Sequence, residues 1–223
     1  MAQIFAGLFA EGNTDITFLQ NIVQKTLEAV AFDCRGQLDI ETLPLEIDKT
    51  GLTFAQQVLK AAKKGIEDYG IQIICVHTDA DNVSAQSTYQ HKINPAKTQL
   101  DNQNAADYCK ILVAIVPIQE TEAWMLADKE LLKQEIGTTK TDNELDINRN
   151  PEQIANPKEV IEKAIKVARA GLTQRQRNSL TIADLYLPIG QSIDLKKLEN
   201  LPSYTDFKHN VRNAFIELNL LYE

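Results

Sequence analysis

Residues 71–81 read IQIICVHTDAD: a near-continuous apolar run, rich in β-branched side chains, that breaks off into two aspartates spaced two apart. A strand with one wet face alternates polar and apolar residues, whereas a strand covered on both faces is apolar almost throughout. Ile71 to His77 therefore predicts a strand inside a parallel sheet, with Asp79 and Asp81 just beyond its carboxyl end. Two further runs share this character. Gln3 to Ala10 is a short apolar stretch ended by Glu11, and Lys110 to Ile118 is a longer one followed at once by QETEAWMLAD. The carboxyl ends of parallel strands lie along one edge of their sheet, so Glu11, Asp79, Asp81, Glu120 and Glu122 are expected together on that edge.

Helical segments alternate with these strands. Ile16, Leu19, Val23, Leu27 and Val30 recur in steps of three and four, which marks one face of a helix, and Asn13 or Thr14 is its expected N-cap. A second strand is predicted over Leu38 to Leu45, at a sheet edge because Pro44 lacks a ladder donor. Phe54, Val58, Ala62 and Ile66 mark a second amphipathic helix ending near Gly70. The polar stretch from Asn82 to Asp107 has a weak pattern consistent with a short helix. After Gly137 no strand pattern recurs: helices are expected from near Pro157 and from about Ser203, the latter carrying Phe207, Val211, Ala214, Leu218 and Leu221 on one face. The expected architecture is α/β, a mostly parallel sheet flanked by helices over 1–136, with a helical appendage over 137–223.

Composition narrows the function classes. The chain has 223 residues, 43% of them apolar, enough for a real core. It contains no run of eighteen apolar residues and no charged N-terminal region leading into an apolar stretch, so a soluble, unexported, cytoplasmic protein with no membrane partner is expected. Cys34, Cys75 and Cys109 show no paired spacing and are expected as reduced thiols. Three scattered histidines argue against an imidazole-rich zinc site. The net charge of −8 argues against a broad basic surface that coats nucleic acid. A local basic cleft remains open to it, because Lys158, Lys163, Lys166, Arg169, Arg175 and Arg177 cluster within twenty residues.

Glu11, Asp79 and Asp81 converging on one edge require a counter-charge. A divalent cation meets that need, since Mg²⁺ prefers oxygen ligands and is commonly held by a few carboxylates, with water or substrate phosphate completing its shell. Each residue also has a plainer role. An acid in the first helical turn, such as Asp15, favours the helix N-terminus, and so do Glu120 and Glu122, which could alternatively support the metal ligands from behind. Trp124 reads as a core anchor more than a base-stacking platform. His77 reads as a strand-end residue without catalytic duty. Lys158, Lys166, Arg169, Arg175 and Arg177 are either a solvated helix face or contacts to nucleic-acid phosphate.

The string Glu11-Gly12-Asn13-Thr14-Asp15, together with Thr78-Asp79-Ala80-Asp81, resembles the TOPRIM fold of topoisomerases, bacterial primases and nucleases of the overcoming-lysogenization-defect type. In that family a Glu ends the first strand before a Gly turn, and an Asp-x-Asp pair ends a later one. The segments IVPIQETEAWMLAD, NPK and DLKKLENLPSYTDFKHNVRNAF are similar to a bacterial TOPRIM-like branch often associated with phage-defence loci. The resemblance implies a TOPRIM-like Rossmannoid sheet with Glu11 as acid/base or metal-coordinating carboxylate. It further implies Asp79 and Asp81 as ligands of Mg²⁺ or Mn²⁺, and Asp15 as ligand of a second cation. Phosphodiester hydrolysis on nucleic acid, within a phage-defence module that includes an ATPase partner, is the activity it suggests. The chain departs from the pattern at Asn82-Val83-Ser84, where members acting on DNA ends or primers commonly have a Gly. No catalytic Tyr or phosphate-stabilising basic residue can be assigned from sequence. Two rival classes are a non-catalytic metal-binding or partner-docking subunit, and a nucleotide-sugar transferase using Asp-x-Asp.

Overall fold

The computed structural model describes residues 2–222. Four strands, β1 (Ala2–Phe9), β2 (Leu38–Pro44), β3 (Ile73–His77) and β4 (Ile111–Ile115), form a sheet in the order β2-β1-β3-β4. Every pairing is parallel, with Ala6 opposite both Thr42 and Ile73, and Cys75 opposite Val113. The helices are α1 (Asn13–Ala31), α2 (Phe54–Tyr69), α3 (Gln86–Thr88), α4 (Asn94–Asp101), α5 (Glu122–Met125) and α6 (Lys129–Ile136). They continue with α7 (Pro157–Ala168), α8 (Gln174–Arg177), α9 (Tyr186–Ser192), α10 (Leu195–Leu198) and α11 (Pro202–Glu217). A π-helical turn, Tyr89–Ile93, joins α3 to α4.

Alternate residues of the strands feed two cores. Leu8, Ile73, Cys75 and Val113 face the side covered by α1, α9 and α11, while Phe9, Ile74, Val76 and Ala114 face α2 and α4. This three-layer arrangement buries both faces of the sheet, which is why its strands read as unbroken apolar runs. The helices beyond Gly137 share the first core. Trp124 is fully enclosed there, donating from Nε1 to Ser203 Oγ at 2.8 Å and meeting Tyr204 edge-on. Gly190 lets α9 lie against α1, because a Cβ at that position would strike the backbone carbonyl of Phe18.

The edge position of β2 agrees with the reading of Pro44. Gln20 and Gln24 of α1 bond the backbone of Ile40 and Thr42, covering part of this free edge. The entry to α1 differs from expectation. Neither Asn13 nor Thr14 caps it; the extended Gly12 does, and its N–H donates to Asp15 Oδ2 at 3.1 Å. The absence of a side chain at Gly12 makes room, since a Cβ there would lie 2.7 Å from that oxygen. The polar stretch 82–107 holds α3, the π-turn and α4, held on α2 by the sparse apolar set Ile93, Ala96 and Leu100. Cys34, Cys75 and Cys109 are free. Among the described residues no helix is long and apolar enough to cross a membrane.

Candidate functional site

In the order β2-β1-β3-β4 the chain leaves β1 for β2 on one side and returns to place β3 on the other. The strand order thus reverses between β1 and β3. Loops at the carboxyl ends diverge at such a point and leave a crevice, the usual ligand position in parallel sheets. Glu11 follows β1 and Thr78-Asp79-Ala80-Asp81 follows β3, so the acids stand on the two lips of this crevice.

The loops are held in place from several directions. Lys49, from the segment after β2, donates to the carbonyls of Ala10 and Glu11 at 2.7 and 2.8 Å. Ala80 N–H donates to Pro117 O, Asp81 N–H to Gln119 O, and Gln119 N–H to Asn82 O, which zips the loop after β3 to the loop after β4. Asp81 and Gln119 both adopt left-handed backbone conformations, with φ of 51° and 63°. Such conformations are uncommon outside glycine and cluster at functional sites.

His77 is the centre of the buried part. Its side chain is 0% exposed and lies between Asp15, whose Oδ2 is 3.8 Å from Nδ1, and Asp79, whose Oδ1 is 3.3 Å from Nε2. Thr121 completes the set: its Oγ1 is 2.9 Å from His77 Nε2 and 3.1 Å from Asp79 Oδ1, and its N–H donates to the same Asp79 oxygen at 2.8 Å. The network assigns Nε2–H as donor to Thr121 Oγ1, whose hydroxyl donates on to Asp79. Nδ1 makes no hydrogen bond. Burial opposes the charged imidazole. The hydrogen bond and charge of Asp79, with the charges of Asp15 and Glu11, outweigh it and hold His77 above its ordinary pKa.

The carboxylates feel one another. Burial first, then the charge of Asp79, raises Asp15 against the opposing charge of His77. Asp81 is raised by desolvation and by the charges of Asp79 and Glu11, with Lys92 opposing. Glu120 is raised by burial and by Glu122, and its Oε2 is enclosed without a partner. Glu122 accepts from Tyr186 OH at 2.5 Å and lies 4.0 Å from Lys158 Nζ. Tyr186 itself is pushed well above the usual phenol value by burial and by Glu122.

A cation already sits at the crevice. Lys92 Nζ lies 3.1 Å from Glu11 Oε1 and donates to Thr78 Oγ1 at 2.7 Å, joining the two lips. It projects from the π-helical turn, a feature that recurs at functional sites. The chain matches, over residues 10–211, the family described as Domain of unknown function (DUF4276). It belongs to that family. No curated protein and no solved structure matches it.

In this DUF4276 chain Glu11, Asp15, Asp79 and Asp81 therefore gather on one sheet edge, with Glu120 and Glu122 beside them. Among the described residues no three His, Cys, Asp or Glu side chains stand close enough together to hold a metal ion as arranged. The donor chemistry nevertheless fits a hard cation. The side chains gathered there are carboxylates, Asp15 and Asp81 are each raised in part by the charge of Asp79, and the ammonium of Lys92 stands against Glu11. Of the basic residues, Lys158 reaches Glu122, whereas Lys166, Arg169 and Arg177 line a groove further along α7, and Arg175 is exposed on α8. Sequence reasoning set His77 aside and missed Thr121, Lys92 and Tyr186. Thr121 was signalled by its place between two glutamates just after a strand; Lys92 and Tyr186 had no local signal.

Proposed function

We propose that the chain is a TOPRIM-like, Mg²⁺- or Mn²⁺-dependent phosphodiester hydrolase acting on nucleic acid. The observation that carries this reading is the convergence of Glu11, Asp15, Asp79 and Asp81 at the crevice between β1 and β3, with the ammonium of Lys92 across it. Glu11, Asp79 and Asp81 would hold the cation, and Asp15 a second one. A bound divalent cation would supply charge stabilisation to the phosphate oxygens and a more acidic water.

The chain's own residues supply positioning. Thr121 fixes the Asp79 carboxylate through its N–H and hydroxyl, and His77 stands against the same oxygen at 3.3 Å, so one carboxylate is preorganised. Lys92 is the basic residue that would face a phosphate once Glu11 turns to a cation, a role that needs only rotation of an exposed side chain. Asp81 and Glu11, exposed and crowded by like charge, are the groups free to move onto the ion. A partner ATPase and a place in a phage-defence module belong to the same reading through the sequence resemblance.

The engaged state of Asp79 and the Lys92–Glu11 ion pair favour one alternative, a non-catalytic subunit that uses the edge to bind metal or a partner. A single experiment separates the two. The purified protein is incubated with single- and double-stranded DNA and RNA in Mg²⁺ or Mn²⁺, beside Glu11→Gln. Cleavage that Glu11→Gln abolishes supports the hydrolase; metal binding with no cleavage of any substrate overturns it in favour of the binding subunit.

A further inference from the structure

A groove separate from the acidic edge lies in the C-terminal part of the chain. It has a volume of about 560 Å³ and lies between the C-terminal half of α7 and the segment running through α8 to Ile182. Its apolar surface comes from Ile165, Leu180 and Ile182, and its charge from Lys166, Arg169 and Arg177, against one acid, Glu162. A cationic concavity stands out in a protein of net charge −8.

Arg169 is built into the wall. Its Nη2 donates to Gln176 O at 2.5 Å and to Ser179 Oγ at 2.9 Å, which fixes the guanidinium, while its Nε is enclosed without a hydrogen-bond partner. Lys166 and Arg177 are exposed and, among the described residues, neither forms an ion pair. Two exposed cations without ion-pair partners among the described residues, beside a guanidinium fixed in the groove wall, suit an acceptor-rich anion.

The groove connects to the acidic edge through α7. Lys158, in the first turn, lies 4.0 Å from Glu122. Residues 158, 162, 165 and 169 fall on one helix face, and 158 to 169 spans about 16 Å at 1.5 Å per residue. A nucleic-acid strand of a few nucleotides running along this face would reach both the groove and the acidic edge. The apolar floor selects between forms of nucleic acid. A duplex presents phosphates outward and has no use for Ile165, Leu180 and Ile182, whereas an unpaired base can lie on them with its phosphates toward the cations.

We infer that the α7–α8 groove binds a single-stranded stretch of nucleic acid, with a base against Ile165, Leu180 and Ile182 and phosphates on Lys166, Arg169 and Arg177, along the helix that leads to the acidic edge. This assignment names the substrate form for the hydrolase proposed above and rests on that reading only for its biological purpose, since binding is measured without catalysis. The test is fluorescence anisotropy of a labelled single-stranded oligonucleotide in EDTA across a salt series. Wild type is compared with the Lys166→Ala/Arg177→Ala double variant and with Arg175→Ala, which lies outside the groove.

The double variant is expected to bind about tenfold more weakly at low salt, with its log–log salt slope reduced by about 1.4 for two lost phosphate contacts. Its urea midpoint and the behaviour of Arg175→Ala should match wild type. An unchanged slope in the double variant would overturn the assignment, and so would equal binding of the corresponding duplex. Displacement of the oligonucleotide by inorganic phosphate or a mononucleotide at equal phosphate concentration would also overturn it, marking a small-anion pocket instead. Groove binding that persists where no metal-dependent cleavage occurs sinks the hydrolase alone.

Discussion

Asp79 and Asp81 are two residues apart and live in different surroundings. Asp79, with Asp15, His77 and Thr121, belongs to a half of the edge in which half-buried carboxylates are closely bonded to two enclosed side chains. Asp81, with Glu11 and Lys92, belongs to an open half, on a backbone turned to φ 51° and coupled to its neighbours mainly through charge. On the proposed reading of the edge as a cation site, the contrast separates two tasks that such a site must combine. Mg²⁺ demands near-ideal octahedral geometry yet keeps several waters. One fixed carboxylate can set position while mobile ones complete the shell.

The sharpest way to break this division is Asp79→Ala. Removing the carboxylate strips an acceptor from the Thr121 N–H and hydroxyl and leaves the enclosed His77 with one fewer counter-charge. A loss of about 2–3 kcal/mol is expected in urea unfolding of the metal-free protein at neutral pH, together with loss of cleavage. A wild-type urea midpoint for this variant would erase the distinction between the halves.

Lys92→Ala probes the open half, with a smaller effect. Exposed ion pairs contribute about 0–1 kcal/mol, so stability should barely move. Because the ammonium competes with an incoming ion for Glu11, Mn²⁺ affinity by calorimetry should rise by about two- to fivefold, while cleavage slows. Weaker Mn²⁺ binding would show that Lys92 supports the carboxylates and does not stand in for their cation.

Asp81→Asn sharpens the comparison from the other side of the motif. Asn tolerates the left-handed backbone, and removing a charge repelled by Asp79 and Glu11 should leave metal-free stability within about 0.5 kcal/mol of wild type or slightly above it. Mn²⁺ binding should nonetheless fall. Destabilisation comparable to that of Asp79→Ala would place both aspartates in the framework.

The edge as a whole was legible in the sequence because two physical rules converge there. Strands buried on both faces leave unbroken apolar runs, and a parallel sheet aligns whatever follows each run. Ile73–His77 and its two aspartates obey both. The division between Asp79 and Asp81 was not legible, because it depends on Thr121 arriving from the loop after a different strand. Lys92 was hidden for a similar reason. A π-helical turn has no apolar period to read, and its apolar neighbours Ile93 and Ala96 are too few to phase a helix. The surroundings of His77 were not legible either, because its position as the last residue of a strand says nothing about the carboxylates that reach it from α1 and from the following loop. The helices after Gly137 were readable one by one. Their packing on the same core as α1 depends on long-range contacts such as Trp124 to Ser203 and Gly190 to Phe18.

The pH dependence of the metal-free protein gives the smallest effect and resolves the two halves without mutation of either aspartate. His77 is held above its ordinary value of 6.5, so it binds more proton in the folded state than in the unfolded one. Its contribution is fully present below about pH 6.5 and is lost as the pH climbs through the raised value. Asp15, Asp81 and Glu120 are also raised, from ordinary values of 3.8, 3.8 and 4.5. They too hold extra protons when folded, so their effect has the same sign but begins at lower pH. The three raised carboxyls therefore lower the melting temperature in a first stage as the pH leaves the carboxylate range, against the opposite effect of Asp48, Glu144 and Asp184, which are held below their ordinary values, and His77 lowers it in a second stage above about 6.5. Saturating Mg²⁺ should flatten the first stage, because a bound cation relieves the crowded carboxylates, and should leave more of the second, which arises from the enclosed imidazole. His77→Gln should remove the second stage alone. A melting temperature that rises steadily from about pH 6 to about pH 8 in wild type would contradict a protonated His77 between Asp15 and Asp79, and with it the fixed half of the edge.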